Sequence, residues 1–79
     1  MSEVRVRFFA AAREAAGCAE TRVASGGTLA DLIAALGTNP DLVAVLARSA
    51  VLVDGARRSP EDAVPPGATV DVLPPFAGG

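Results

Sequence analysis

The sequence predicts an α+β domain in which one main helix packs across a mixed sheet of about five strands. Two alternating runs, VRVRF near the start and ATVDVL near the end, have the period of half-buried strands. Between them, residues 28–37 place apolar side chains at positions i, i+3, i+4 and i+7, which is typical of an amphipathic helix. Because such a helix needs an apolar surface to cover, we expect it to lie against the sheet.

A hairpin is predicted before the main helix. In residues 4–8, valine or phenylalanine alternates with arginine, so this strand should turn its arginines toward the wetter face. The same phase puts Phe9 on the arginine side, either tucked under a loop at the strand end or within an exposed apolar patch. Segment 10–17 is too short for an independent helix and is predicted to be a turn-like connection. A second strand over residues 20–24 would then pair with the first.

Two helices are predicted next. Thr28 can cap the main helix, Asp31 suits its positive end, and Gly37 can end it. The stripe that should cover the sheet consists of Leu29, Leu32, Ile33 and Leu36. A shorter helix should start with Asn39 as its cap and Pro40 at its first position. Its inward side chains are expected to be Leu42, Val45 and Leu46.

The second half of the chain predicts three more strands. Residues 50–58 form a strand, a tight turn at Asp54-Gly55 and a short fourth strand. The loop 59–67 should be anchored inward by Val64, and its Pro-Pro-Gly should turn the chain. The last strand is ATVDVL, with both valines inward.

Composition excludes several classes of function. The net charge is −2, and all seven basic residues are arginines without a cluster larger than a pair, so no nucleic-acid footprint is expected. No uninterrupted apolar run approaches membrane-spanning length. A single cysteine, Cys18, cannot form an intrachain disulfide and suits a reducing compartment. We therefore expect a soluble cytoplasmic protein without a membrane partner.

A self-sufficient active site is not predicted. The chain has no histidine, no lysine and no metal-ligand cluster, and its nine carboxylates are spread over expected surface positions. Cys18 is either a sulfur-relay nucleophile or an inert thiol, and the inert thiol is favoured because no histidine can activate it. Glycine-rich nucleotide-binding motifs are also missing.

The ending PPFAGG, residues 74–79, has features of a reactive terminus. Two prolines favour an extended course, so the segment could reach on the order of 20 Å from the domain. Glycines at the tip could thread a channel too narrow for a Cβ atom. These features fit a carboxylate that enters another protein's active site. The alternative is a frayed terminus.

The opening VRVRFFAAAREAAG and the ending VDVLPPFAGG together resemble the small, sulfur-carrier subunits of molybdopterin synthase, in the ubiquitin-like β-grasp family. The resemblance spans essentially the whole chain, and these two stretches are its most specific parts. The Gly-Gly ending is a strong signal because it is joined to Pro-Pro at this spacing. It implies a single β-grasp domain over residues 1–79, with residues 74–79 as a protruding diglycine tail.

The resemblance also implies a chemistry centred on Gly79. An adenylating enzyme of the ubiquitin-activating type would use Mg-ATP to convert its carboxylate into an acyl-adenylate, and sulfur from a donor such as a sulfurtransferase would then give a thiocarboxylate. The tail would enter the large subunit of molybdopterin synthase and donate sulfur to the molybdopterin dithiolene. The chain itself would bind no cofactor and would not be catalytic alone. The tail residues held by the partner would be Pro74, Pro75, Phe76, Ala77 and Gly78.

We expect Phe9, Leu73 and Phe76 to form an apolar contact used by both the activating enzyme and the large subunit. Three other interpretations remain open at this point. The chain could carry sulfur for thiamine or cysteine synthesis, modify the lysines of other proteins through Gly79 as ubiquitin does, or act as an interaction module with an inert tail.

Overall fold

Five strands and three helices are defined in residues 3–24, 27–37 and 39–74, the part of the chain that this computed structural model describes. In chain order they are β1 (Glu3–Phe8), α1 (Ala11–Ala16), β2 (Glu20–Ala24), α2 (Leu29–Leu36), α3 (Pro40–Leu46), β3 (Ala50–Val53), β4 (Ala56–Arg57) and β5 (Thr69–Leu73). The strands form one sheet in the order β2-β1-β5-β3-β4. Pairing of β1 with β5 is parallel, and the other pairs are antiparallel. The predicted α+β class, mixed sheet and hairpin of the first two strands are confirmed.

The core lies between the helices and one face of the sheet. Alternate residues of β1 and β5 point into it, so the phase predicted for both strands is confirmed. The buried apolar cluster consists of Val4, Val6, Phe8, Ala12, Leu29, Leu32, Leu36, Leu42, Leu46, Val53, Val64, Ala68, Val70 and Val72. Ile33 and Val45 are half-buried at its margin. The opposite side, here called the outer face, carries Arg5, Arg7 and Asp71.

Local capping explains where the two predicted helices begin. The Thr28 hydroxyl oxygen accepts a hydrogen bond from the Asp31 N–H at 3.2 Å, and the Thr28 N–H donates to the Asp31 carboxylate at 3.0 Å. This capping box satisfies backbone donors at the start of α2. At α3, the Asn39 side chain accepts from the Asp41 N–H at 2.9 Å. Both predicted caps are confirmed.

The turn-like connection predicted for residues 10–17 is wrong, because most of this segment forms helix α1. Its Ala12 side chain is buried in the core, and Gly17 ends the helix with a φ of 77°. The Asn39 side-chain amide also donates to the Ala15 carbonyl at 2.9 Å, which ties the end of α1 to the start of α3. A six-residue helix is unstable alone, but these tertiary contacts stabilise it.

The predicted tight turn between β3 and β4 lies at Asp54 and Gly55, which have φ values of 49° and 83°. Two successive positive φ angles match the twist of a two-residue hairpin. The Asp54 carboxylate accepts a hydrogen bond from the Thr69 N–H at 2.9 Å, and the Asp54 N–H donates to the Thr69 carbonyl at 2.8 Å. The turn is therefore joined to β5 as well as to its own hairpin.

Two substitutions of Asp54 should separate the effect of its acceptor oxygen from the effect of its negative charge. We expect Asp54→Ala to lower the free energy of unfolding by about 1–2 kcal/mol, since it loses the bond to Thr69 and puts alanine at a positive φ. Asp54→Asn keeps an acceptor oxygen and tolerates this φ, so its change should stay within about 0.5 kcal/mol. Urea unfolding measures both. Equal losses in the two variants would show that the carboxylate charge, rather than the acceptor, matters.

Candidate functional site

The chain leaves the sheet at the end of its central strand. β5 lies between β1 and β3, so its last residue, Leu73, emerges from the middle of the sheet rather than from an edge. The following Pro74 is exposed. Because β1 runs parallel to β5, the end of β1 reaches the same side of the molecule, and the Phe9 N–H donates to the Val72 carbonyl at 3.1 Å.

Phe9 and Leu73 lie together at this exit and are here called the exit patch. Phe8 pairs with Val72, so extending the parallel register by one residue puts Phe9 level with Leu73. Phe9 is 38% exposed, and Leu73 is half-buried. Of the two alternatives for Phe9, the structure supports an exposed apolar side chain rather than one tucked under a loop. Two of the three predicted interface residues are therefore neighbours.

An ion pair that the sequence analysis missed lies beside the exit patch. Arg7 and Asp71 are register partners, and the guanidinium donates to both carboxylate oxygens, at 2.6 and 3.0 Å. Hydrogen bonding to Asp71, followed by the negative charge of Asp71, raises the pKa of Arg7 above its ordinary value. The guanidinium carbon lies 5.7 Å from the centre of the Phe9 ring, within the range of a cation–π contact. Asp71 thus holds Arg7 where it can orient Phe9.

The apolar surface continues onto β3. Ala50 pairs with Leu73, and Leu52 pairs with Asp71, so both lie on the outer face. Each is half-buried. Sequence reasoning did not include them because their side of the sheet depends on the register between β3 and β5. Once that register is known, the alternation predicted for β5 shows that the β3 residues paired with Asp71 and Leu73 face outward.

The remaining predicted site residues are placed as follows. Pro74 is described and exposed, whereas Pro75, Phe76, Ala77, Gly78 and Gly79 lie outside the described residues, so their roles stay predictions. Cys18 is exposed just after α1. Within the described ranges, no group of three or more histidine, cysteine, aspartate or glutamate residues is arranged to hold a metal ion. No helix there has the length and apolar character needed to cross a bilayer.

Solved structures share this arrangement of helices and sheet. Small archaeal modifier protein 1 from Methanosarcina acetivorans is 28% identical, covers 100% of this chain and 98% of its own, and gives a TM-score of 0.83. SAMP1 from Haloferax volcanii is 27% identical over 98% of this chain and 99% of its own, with a TM-score of 0.81. These likenesses confirm the ubiquitin-like β-grasp fold.

A third likeness comes from the complex of subunits 1 and 2 of molybdopterin-converting factor from Helicobacter pylori 26695. The matching chain is 24% identical over 98% of this chain and 99% of its own, with a TM-score of 0.74, which supports the same fold.

Comparison with family models identifies the chain more directly. A search of curated proteins gives no significant match. The model of the ThiS family, however, matches residues 6–79, which include the exit patch and the whole predicted tail. The chain therefore belongs to the ThiS family and is a ubiquitin-like sulfur carrier of that type.

Proposed function

We propose that this chain is the sulfur-donating subunit of a molybdopterin synthase and that the carboxyl group of Gly79 carries the sulfur. The observation that carries this proposal is the ThiS family match, because it runs through the exit patch and the tail to residue 79. The fold shared with a chain of the Helicobacter pylori complex of molybdopterin-converting factor subunits supports this choice of pathway. The Pro-Pro before Phe-Ala-Gly-Gly supports it further.

The proposed chemistry assigns one task to the chain and the rest to its partners. A carboxylate is a poor electrophile, so an adenylating enzyme of the ubiquitin-activating type must first convert Gly79 into an acyl-adenylate with Mg-ATP. Sulfur from a donor such as a sulfurtransferase then replaces an oxygen and gives a thiocarboxylate. The large subunit receives the tail and supplies the acids, bases and substrate contacts of the transfer. The chain provides a side-chain-free stem and a domain that both partners can hold.

The exit patch is the proposed point of contact for these partners. It lies next to the last described residue of the chain, and the Arg7 guanidinium, 5.7 Å from the centre of the Phe9 ring, can orient that ring on the outer face. An aromatic side chain that is already oriented loses little freedom on binding, which favours a strong contribution to affinity. Phe76 is proposed to complete the contact from the tail.

Removal of the aromatic contact should weaken the heterodimer. For a Phe9→Ala and Phe76→Ala double variant, we expect the dissociation constant for the large subunit to rise about 30-fold or more, the size of a hot-spot loss. Titration calorimetry measures it, after circular dichroism has shown that the variant folds. Val43→Ala is the matched control, because Val43 is 47% exposed on α3, away from the sheet's outer face. Unchanged affinity in the folded double variant would refute this contact.

Sulfur loading can be tested directly by mass spectrometry. The chain is incubated with an adenylating enzyme, Mg-ATP and a sulfur source, and its C-terminal fragment is analysed at high resolution. Localisation is essential, since oxidation of Met1 or Cys18 adds nearly the same mass as exchange of oxygen for sulfur. Sulfur on Gly79 supports the carrier function, and an unmodified Gly79 with several competent adenylating enzymes contradicts it. Adding candidate large subunits with the pterin precursor then distinguishes molybdopterin synthesis from thiamine or cysteine synthesis.

A second candidate function is protein modification, favoured by the likeness to the two archaeal modifier proteins at 27% and 28% identity. In this case Gly79 would be joined to lysines of other proteins. The chain contains no lysine of its own, so it could be attached but could not be extended through a side chain. Adducts of high mass on denaturing blots that disappear when Gly79 is deleted would support modification. Loading with sulfur in the absence of such adducts would support the carrier alone.

A further inference from the structure

The sheet has two edges, and β2 offers the longer one. β4 at the other edge has two residues, whereas β2 has five and contains neither proline nor glycine. A regular edge strand without these interruptions is a template for another strand. We propose that β2 pairs antiparallel with β2 of a second copy of this chain, so that two sheets join edge to edge around a two-fold axis.

The hydrogen bonds to β1 determine which backbone groups of β2 point toward the free edge. The Phe8 N–H donates to the Ala19 carbonyl at 2.8 Å, and the antiparallel register continues with Val6 opposite Thr21. Because hydrogen-bonded pairs alternate along such a ladder, Thr21 is bonded to β1 while the backbone groups of Glu20 and Arg22 point away from it. The backbone N–H and C=O groups of Glu20 and Arg22 are therefore available for pairing with a further strand.

Charged side chains on the outer face of β2 indicate which strand can pair with this edge. Arg22 lies directly opposite Arg5 in the register, which is an unfavourable pairing of like charges. Glu20 forms an ion pair with Arg5, with 3.4 Å between Nε and Oε2. Among residues 3–24, 27–37 and 39–74, no carboxylate lies within ion-pair distance of Arg22. Within the described part of the chain, β2 thus carries one cation, Arg22, that has no carboxylate partner and lies two residues from Glu20.

One register of the paired strands neutralises this cation. With Thr21 opposite Thr21 of the second copy, Glu20 of each copy faces Arg22 of the other on the outer face. The backbone groups of Glu20 and Arg22 point toward the free edge of β2, so each of the two pairs can exchange two backbone hydrogen bonds. Registers shifted by one residue in each copy put Arg22 opposite Arg22 or Glu20 opposite Glu20. The short sequence ETR is therefore self-complementary in charge and in hydrogen bonding.

The proposed dimer leaves the exit patch accessible. Phe9 directly follows β1 and Leu73 ends β5, and both of these strands lie inside the sheet, whereas the dimer contact uses the outer edge of β2. Two tails could therefore be presented by one assembly. The dimer does not depend on sulfur chemistry, so the two proposals can fail separately.

Charge reversal tests the proposed register. Sedimentation equilibrium should show a reversible dimer of the full chain, and Arg22→Glu or Glu20→Arg should each raise the dissociation constant about tenfold or more by placing like charges opposite one another. The double variant Glu20→Arg plus Arg22→Glu restores opposite charges and should recover the dimer. Arg48→Glu is the matched control, since Arg48 is exposed after α3, and it should have no effect. A wild-type chain that stays monomeric at its highest attainable concentration would overturn the proposal, as would failure of the double variant to recover association.

Cross-linking tests the same register without altering charge. In a Cys18→Ser background, Thr21→Cys would place two cysteines opposite one another with Cα atoms about 4.5 Å apart, within disulfide range. Val23→Cys lies on the same face but would put its two Cα atoms beyond about 7 Å, where no disulfide can form. Mild oxidation should therefore yield a covalent dimer for the Thr21 variant only. Equal cross-linking of both variants, or of the Val23 variant alone, would contradict the register.

Discussion

Deletion of Gly79 is expected to abolish the transfer of sulfur to this chain while leaving its fold intact. In the proposed function, the adenylating enzyme must position one particular carboxylate for attack on ATP. A tail shortened by one residue moves its carboxylate by roughly 3 Å, and a displacement of about 1 Å can already reduce such a reaction 100-fold. The C-terminal fragment of the variant should show no added sulfur by mass spectrometry. Its melting temperature should match that of the full chain, because the buried core ends at Val72.

Cys18→Ser is the control for this experiment, because it removes the chain's only thiol without touching the tail. Cys18 is exposed, so the substitution should leave the fold intact. We expect normal sulfur loading of Gly79 in this variant. Sulfur transfer that persists after deletion of Gly79 would refute the proposed carrier site. Loss of transfer in Cys18→Ser would instead identify the thiol as a relay in loading.

Leu29→Ala is expected to lower the free energy of unfolding far more than a comparable truncation of an exposed side chain. Leu29 is 2% exposed at the start of α2, where its N–H also donates to the Asp62 carbonyl at 2.9 Å. Truncation of a buried leucine costs about 2–5 kcal/mol, because the surrounding structure fills the cavity only in part. A domain of 79 residues has roughly 4–12 kcal/mol of stability in total. Urea unfolding should show a much lower midpoint with a similar slope.

Val43→Ala is the comparison for Leu29→Ala. It also shortens an apolar side chain on a helix, but Val43 is 47% exposed. Alanine has a higher helix propensity than valine, so the free energy of unfolding should change by less than about 0.5 kcal/mol. Similar losses in the two variants would contradict the assignment of Leu29 to the core.

Elements with strong local signals could be predicted from the sequence. The alternation in β1 and β5 requires one buried face, and the Thr28 and Asp31 side chains cap α2 through contacts only three residues apart. Helix α1 could not be predicted in this way. It is stabilised by burial of Ala12 and by the bond from the Asn39 side chain to the Ala15 carbonyl, which joins residues 24 positions apart. Such contacts become visible only when the fold is known.

The candidate site likewise contains features that the sequence could predict and features that it could not. The sequence and the resemblance placed Phe9 and Leu73 in one contact, and the parallel pairing of their strands brings them side by side. The ion pair that holds Arg7 over Phe9 was not predicted, because Arg7 and Asp71 are 64 residues apart. No local period relates two positions at that separation. Their pairing depends on the insertion of β5 beside β1, which is a property of the whole sheet.

The central position of β5 also determines when this protein can fold. Without β5, the sheet would consist of two separate ribbons, β2 with β1 and β3 with β4, and isolated two-stranded ribbons are marginal in water. Their union must wait for the last strand, whose contacts with β1 close a long loop and are therefore slow to form. On a ribosome, the sheet cannot be completed until Leu73 has emerged. The exit patch beside Pro74 therefore exists only in a chain whose last strand has joined the sheet.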